Sequence, residues 1–336
     1  MIAQRTERMC EEIQRKFYAM GYGNTPLVSI GLENGSQILA KLEWFNPSGS
    51  IKSRAAFFMI YEKLLKDDKN KERTFVEGTS GNTGIAIAEV CRTLGIKSQI
   101  IIPPGTMKET IEKLRETGTD LIITQEENNV TSTEKAINMA VEKSINESER
   151  YVNLHQHGNE MNWKSHYYTT GPEILKRYDG NMDFLIIAMG TGGSIIGLSR
   201  FFKERKNTVN VMIQADSNSY IQGIRNFRKA KDKKLIIDNL DVIDEMYSVS
   251  DRDAAGGVRE LIQVYGIYAG FSSGANYIVA KRFAKNYPGS KILTVFPDSA
   301  EKYISLYSKL NIWSLDKAGT TDFRDLNLLS NNVKVL

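Results

Sequence analysis

The sequence predicts an α/β protein of two open, mainly parallel, twisted sheets flanked by helices. Three observations lead there. Short apolar runs alternate with longer amphipathic stretches, the pattern of repeated right-handed strand–helix–strand crossovers. At 336 residues the chain exceeds what a single hydrophobic core ordinarily supports, so two lobes are expected. With 41% hydrophobic and 25% charged residues, it holds enough apolar side chains to offset the entropy of ordering.

Strands are expected at 38–42, 74–76, 98–102, 120–124, 184–188, 209–214 and 291–296, each an apolar run of buried-strand length. The helix-like stretches between them are 53–66, 83–93, 108–117, 133–146, 194–205, 252–265 and 273–286. Residues 218–241 break the rhythm: they are polar and Lys-rich, and a loop of that length in a compact domain is often functional. The stretch 316–336 is polar with scattered Leu and reads as a tail that packs or frays.

Composition narrows the function. Lys plus Arg number 44 and Asp plus Glu 40, a +4 excess spread along the chain, which is not the footprint of a nucleic-acid binder. Two cysteines, Cys10 and Cys91, are too few for a disulfide scaffold, and no CxxC pair suggests zinc. His155, His157 and His166 fall in one stretch without metal-like partners, so no metal site is expected. The first twenty residues carry charges throughout and show no signal-peptide core. The longest apolar runs, such as 184–189, are too short to span a membrane. A cytoplasmic location follows as the expectation.

In open α/β sheets ligands bind beyond the carboxyl ends of the strands. Four turns stand out there. In Asn46-Pro47-Ser48-Gly49-Ser50-Ile51-Lys52-Ser53-Arg54, Lys52 opens a helix, where the dipole disfavours a second cation. A lysine so placed has a depressed pKa and a more nucleophilic amine; the plainer alternative is a solvated lysine after a turn. In Gly78-Thr79-Ser80-Gly81-Asn82-Thr83-Gly84, small residues let backbone N–H groups converge into an anion nest. Seven consecutive small or polar residues exceed what a helix cap needs. Gly190-Thr191-Gly192-Gly193-Ser194 is a phosphate cradle by the same physics, without the spacing of a dinucleotide fingerprint or a P-loop. Ser299, in Pro297-Asp298-Ser299, either bonds a ligand at the strand end or caps a helix at 301–309. An amine for an imine, a carboxylate nest and a separate phosphate cradle together describe the needs of pyridoxal phosphate.

These motifs, with Thr169-Thr170-Gly171-Pro172-Glu173-Ile174 and Gly266–Ala275, resemble the cysteine synthase / cystathionine β-synthase family of fold-type II pyridoxal-phosphate enzymes, which share a tryptophan synthase β-like fold. The resemblance runs from about Gly23 to Trp313 and keeps motif order. It implies a smaller mobile domain at 45–151, a larger phosphate-binding domain from 1–44 plus 152–320, and a tail at 321–336. It further implies that Lys52 holds the cofactor and that Asn82 contacts its phenolic oxygen. Gly190, Thr191, Gly192, Gly193 and Ser194 would hold the phosphate, and Ser299 would face the pyridine nitrogen. Thr79, Ser80, Gly81 and Thr83, joined by Gln156, would bind the substrate α-carboxylate. Two departures stand out. Gly78 occupies a place where the family usually has proline, which would loosen the loop. His157 replaces a common phenylalanine, which would make the site more polar.

Arg225 resembles the B-type cysteine synthases, including those that use O-phosphoserine, whose phosphate a guanidinium recognises bidentately. The alternative is an exposed arginine in a basic loop. The implied activity is a β-replacement on an O-activated L-serine through an aminoacrylate, with O-phosphoserine favoured over O-acetylserine and a cysteine synthase-like outcome. Residues 159–167 also resemble the enzyme joining O-phosphoserine to glutamate on the route to 2,3-diaminopropionate. Cystathionine- or lanthionine-forming synthases and the serine/threonine dehydratases are further alternatives. A catalytically dead scaffold would not need an intact Lys52. Small amino-acid substrates and a second copy of the chain, as a homodimer, are the expected partners.

Overall fold

The computed structural model describes residues 2–125, 132–313 and 321–336. Its strands are β1 (Leu27–Gly31), β2 (Gln37–Leu42), β3 (Thr74–Gly78), β4 (Ser98–Ile102), β5 (Asp120–Ile123), β6 (Tyr151–Asn153), β7 (Phe184–Ala188), β8 (Val209–Ala215), β9 (Glu245–Val249), β10 (Lys291–Phe296) and β11 (Val333–Val335). They form a seven-stranded sheet, ordered β11-β1-β2-β10-β7-β8-β9, and a four-stranded sheet, ordered β5-β4-β3-β6. Every pair of the smaller sheet is parallel, and so is every pair of the larger one from β2 to β9; β1 pairs antiparallel with both β2 and β11. The helices are α1 (Ile2–Ala19), α2 (Lys52–Lys66), α3 (Asn82–Leu94), α4 (Lys108–Glu116), α5 (Ser132–Asn146), α6 (Met161–Ser165), α7 (Gly171–Arg177), α8 (Gly193–Lys203), α9 (Lys234–Ile237), α10 (Asp251–Tyr265), α11 (Phe271–Asn286) and α12 (Ile304–Lys309).

Strand periodicity explains the layering. In β4, Ile100 and Ile102 join the apolar cluster containing Ile87 of α3, while Ile101 between them faces Val76, Ala136 and Ala140 on the α5 side. In β10, Ile292 and Phe296 pack in the cluster holding Ala280 of α11, and Leu293 and Val295 face the one holding Ile195 of α8. Successive side chains are buried on opposite faces, so helices must cover both.

The expected strands and helices are present to within a few residues at their ends. The additional elements carry weak apolar signals. Helix α1 buries Cys10, Ile13 and Phe17, spaced three and four apart, beneath a highly charged outer face. Strands β6 and β11 have three residues each, and the edge strand β9 is mostly exposed. The 218–241 excursion contains no strand and one short helix, α9. Of the expected tail, residues 316–320 lie outside the described residues. Beyond them Phe323, Leu326 and Leu329 pack on the core, and β11 extends the larger sheet.

Candidate active site

Three loops converge beyond the carboxyl ends of the strands. The loop before α2 is fastened to the end of β10 by a bridge between Ser50 and Asp298, with the Ile51 N–H donating to Pro297 O at 2.8 Å. Lys52 is the first residue of α2 and is partly buried. Its amine is pushed below the ordinary lysine pKa by burial, against the opposing charge of Asp298. Desolvation, rather than the helix dipole invoked from sequence, is thus the leading cause. Two residues on, the buried Arg54 guanidinium forks onto Glu43 (2.6 and 2.8 Å) and Glu173 (2.7 and 2.8 Å), and Lys41 pairs with Glu173 at 2.8 Å. Burial would raise the Glu173 pKa, but Arg54 and Lys41 outweigh it and bring it down to about 2. Two cations and two anions neutralise one another and anchor the first turn of α2.

The loop from β3 to α3 reaches across the molecule. Thr79 and Thr83 are buried, and Ser80, Gly81 and Asn82 are half-buried. Thr83 Oγ1 donates to Gln156 Oε1 at 2.7 Å. Asn82 Nδ2 donates to Asp298 Oδ2 at 2.6 Å, while Asn82 Oδ1 accepts from Lys302 Nζ at 2.6 Å. A donor on one side and an acceptor on the other fix which way the amide points. Asp298 Oδ2 also accepts from Tyr303 Oη at 2.9 Å, whereas buried Asp298 Oδ1 has no hydrogen-bond partner among the described residues. Burial lowers the Lys302 pKa to about 8, opposed by Asp298. Gly78 does not loosen this loop: an added Cβ there would lie 2.2 Å from Ala136 O, so glycine lets the backbone of α5 close on β3.

The loop from β7 to α8 is packed from all sides. An added Cβ would lie 2.7 Å from Gly223 O at Gly190, 2.5 Å from Ile236 Cγ1 at Gly192, and 2.0 Å from Asn162 Oδ1 at Gly193. Gly192 also sits at φ +93°, a conformation glycine adopts freely. Asn162 Nδ2 donates to Thr191 Oγ1 (2.9 Å) and Gln156 O (2.8 Å), which joins this loop to the β3–α3 loop through Gln156. Ser194 lies in the first turn of α8, where free N–H groups and the helix dipole favour an anion.

Arg225 is not a solvent-facing loop residue. Its backbone N–H donates to Met189 O at 2.8 Å beside the β7 end, and its Nη1 donates to Asp232 O (2.8 Å) and His157 Nδ1 (2.9 Å). Since guanidinium only donates, Nδ1 of His157 is the acceptor. Burial and the Arg225 charge push His157 down to about 3, so its ring is neutral at physiological pH. Buried His166 bonds Thr170 Oγ1 at 2.9 Å, and the exposed His155 gives its backbone N–H to Glu77 Oε2 at 3.2 Å. Ser299 is buried, bridges to Ala269, and starts a turn at Ala300–Tyr303 without a side-chain capping bond, which leaves its hydroxyl outside the capping role considered from sequence. Among the described residues no cluster of three or more His, Cys, Asp or Glu could hold a metal ion, and no helix is long and apolar enough to cross a membrane.

Sequence reasoning passed over Asp298, Lys302 and Glu77. The signal for Glu77 was a lone acid inside an apolar strand, and for Asp298 its place between Pro297 and Ser299. Lys302 carried none, since a lysine in a polar stretch reads as solvated.

Residues 18–298 match the family model described as pyridoxal-phosphate dependent enzyme. The chain is 36% identical over 287 residues to cysteine synthase B of Escherichia coli, covering 84% of this chain and 92% of that protein. It is 32% identical over 292 residues to the O-acetylserine dependent cystathionine beta-synthase of Bacillus subtilis, covering 84% and 94%. A hydrogen sulfide-producing enzyme of Fusobacterium nucleatum superposes with a TM-score of 0.76 at 31% identity, over 84% of this chain and 97% of that one.

Proposed function

The chain belongs to the pyridoxal-phosphate dependent enzyme family and is a transferase of that class, and we propose that its preferred donor is O-phospho-L-serine, in a β-replacement of the cysteine synthase type. The residues fit the cofactor by their own chemistry: an amine with lowered pKa, a glycine cradle with no room for side chains, and a hydroxyl at a strand end. When bound, pyridoxal phosphate supplies the electron sink that acidifies the substrate α-proton and lets a β-substituent leave.

The remaining roles are the protein's. In this reading Lys52 holds the cofactor, then takes the α-proton and later returns it, which requires the neutral amine that burial favours. Amides of Gly190 to Ser194 hold the phosphate at the α8 N-terminus. Lys302 and Asp298 orient Asn82, whose second amide hydrogen is left for the ring oxygen. Ser299 offers the ring nitrogen a neutral partner. Thr79, Ser80, Gly81, Thr83 and Gln156 take the substrate carboxylate, and closure over it excludes water.

One observation carries the donor preference. Arg225 is a partly buried guanidinium, anchored by Asp232 O and a neutral imidazole, and it forms no carboxylate ion pair among the described residues. Such a cation suits a phosphate and gains little from an acetyl ester. A charge-assisted hydrogen bond is worth about 1.5–3 kcal/mol, or roughly ten- to a hundredfold. Arg225→Ala should weaken O-phosphoserine use by that factor and leave O-acetylserine nearly untouched, with Arg225→Lys recovering part. The Bacillus subtilis relative is named for O-acetylserine, so the competing outcome is explicit: a wild-type preference for O-acetylserine, with both donors equally affected in Arg225→Ala, would sink the idea. Borohydride reduction and peptide mapping should place the pyridoxyl group on Lys52; a label elsewhere would refute the assignment.

A further inference from the structure

We infer that the site also takes an amino acid as its second substrate, beside sulfide, and receives that molecule's carboxylate in a cavity between the β3–α3 loop and one face of α10. The inference rests on the β-replacement reading above and names the class of nucleophile. The cavity measures about 780 Å³. That is the size of an organic-ligand site, whereas sulfide would need no chamber of its own. Its lining includes Ser80 of the nest and the buried Phe271. Phe271 follows Gly270, where an added Cβ would lie 1.9 Å from Asp298 Oδ1. The cavity therefore adjoins both the nest and the strand end that faces Lys52.

Its outer wall has a simple helical logic. Arg252, Ala255 and Arg259 line it from positions i, i+3 and i+7 of α10, one stripe of the helix. Ala255 is the small residue between two arginines whose backbone positions lie about 10 Å apart along the helix axis. Neither arginine makes an ion pair among the described residues; Arg259 gives Nη2 to Leu310 O at 3.3 Å. Asp251 on the same wall already accepts from the Arg252 backbone N–H at 2.8 Å. Leu306 and Leu310 add apolar lining. A lining that combines two unpaired cations, apolar side chains and the polar nest matches a molecule with a carboxylate at one end and a nucleophilic sulfur or nitrogen at the other.

The step balances without a co-reactant. The donor's β C–O bond breaks and the leaving phosphate or acetate keeps the electron pair. The nucleophile's sulfur or nitrogen forms the new bond to the β-carbon and releases its proton to solvent. Lys52 returns the α-proton, so one C–O bond becomes one C–S or C–N bond with no change of oxidation state.

The test uses the holoenzyme in two stages. Release of phosphate or acetate from donor alone, in a single turnover, reports the first half-reaction; its absence overturns the β-replacement reading, and this inference with it. The loaded enzyme is then challenged with L-homocysteine, L-cysteine, L-glutamate or sulfide. At least one amino acid should discharge it. In Arg252→Ala/Arg259→Ala the KM for that amino acid should rise roughly five- to tenfold, the scale of two exposed ion pairs, while sulfide discharge is unchanged. Ala255→Trp, which fills the cavity, should suppress the amino acid and spare sulfide. Release in the first stage followed by discharge with sulfide alone, or with none of the four, overturns this inference and leaves the first reading standing. Equal slowing of sulfide and amino acid in both variants also overturns it.

Discussion

The two glycine-rich loops look alike in sequence and differ in the structure. Both leave a parallel strand and open a helix. At Gly190, Gly192 and Gly193 an added Cβ would meet another atom within 2.7 Å, and Asn162 fastens Thr191. In the other loop the tight glycines are those at the ends, Gly78 (2.2 Å) and Gly84 (2.7 Å), whereas at Gly81 in the middle the nearest atom to an added Cβ is Gln222 Nε2 at 3.5 Å, an ordinary contact. One loop is a preformed cradle; the other is held through long side-chain bonds, Asn82 to Asp298 and Lys302, and Thr83 to Gln156. A group that stays bound needs the first kind of loop. A substrate that enters and leaves needs the second.

The comparison breaks most sharply at glycine. Gly193→Ala would overpack a closed cradle at a cost of about 1–3 kcal/mol, and cofactor retention should fall with stability. Gly81→Ala should shift stability by no more than about 0.5 kcal/mol and keep the cofactor. Equal cofactor loss in the two variants, measured by absorbance after gel filtration, would erase the distinction. Next in size is Asn82→Ala, which strips Asp298 and Lys302 of a shared partner. Asp298 keeps Tyr303 and Lys302 keeps Gly49 O, so the loss is that of a hydrogen bond to a charged group, about 1.5–3 kcal/mol; the cofactor should stay bound while donor cleavage slows. Thr79→Ala and Gln156→Ala each remove one neutral contact worth about 0.5–1.5 kcal/mol, so the donor KM should rise several-fold with kcat nearly kept. A kcat loss without a KM change would move both residues out of carboxylate binding.

Much of this was legible in the sequence because it rests on short-range rules. Apolar runs gave the buried strands, and small residues before helices gave the loops. What was not legible depends on contacts between distant segments. Residues 82, 298 and 302 meet only in the fold, and nothing local marks Lys302 as buried. The dipole argument for Lys52 reached the right direction, but the leading cause is burial, which cannot be read from a turn motif. Gly78 was read as a loosening because its neighbour on the helix packed against β3, Ala136, lies 58 positions away. The resemblance named roles for Thr79 and Ser80, but the face of α10 with Arg252 and Arg259 emerged only from helical geometry.

The smallest effect on activity comes with a pH dependence of stability that separates the loops. No residue from Gly190 to Ser194 titrates, whereas Glu77 is buried in β3 at the root of the other loop and accepts the backbone N–H groups of His155 (3.2 Å) and Gln156 (3.5 Å). Burial raises its pKa from 4.5 to about 7, against those hydrogen bonds. Between these two values the unfolded chain has released a proton that the folded chain still holds. Stability from this group is therefore fully present below pH 4.5, falls as pH rises, and levels off above about pH 7. Glu77→Gln keeps a carbonyl acceptor for one N–H group, so activity near neutrality should change little. The variant should instead lose the slope: its melting temperature relative to wild type should climb between about pH 5 and pH 8. Parallel melting profiles across that range would return Glu77 to the ordinary carboxylate range and leave both loops equally indifferent to pH.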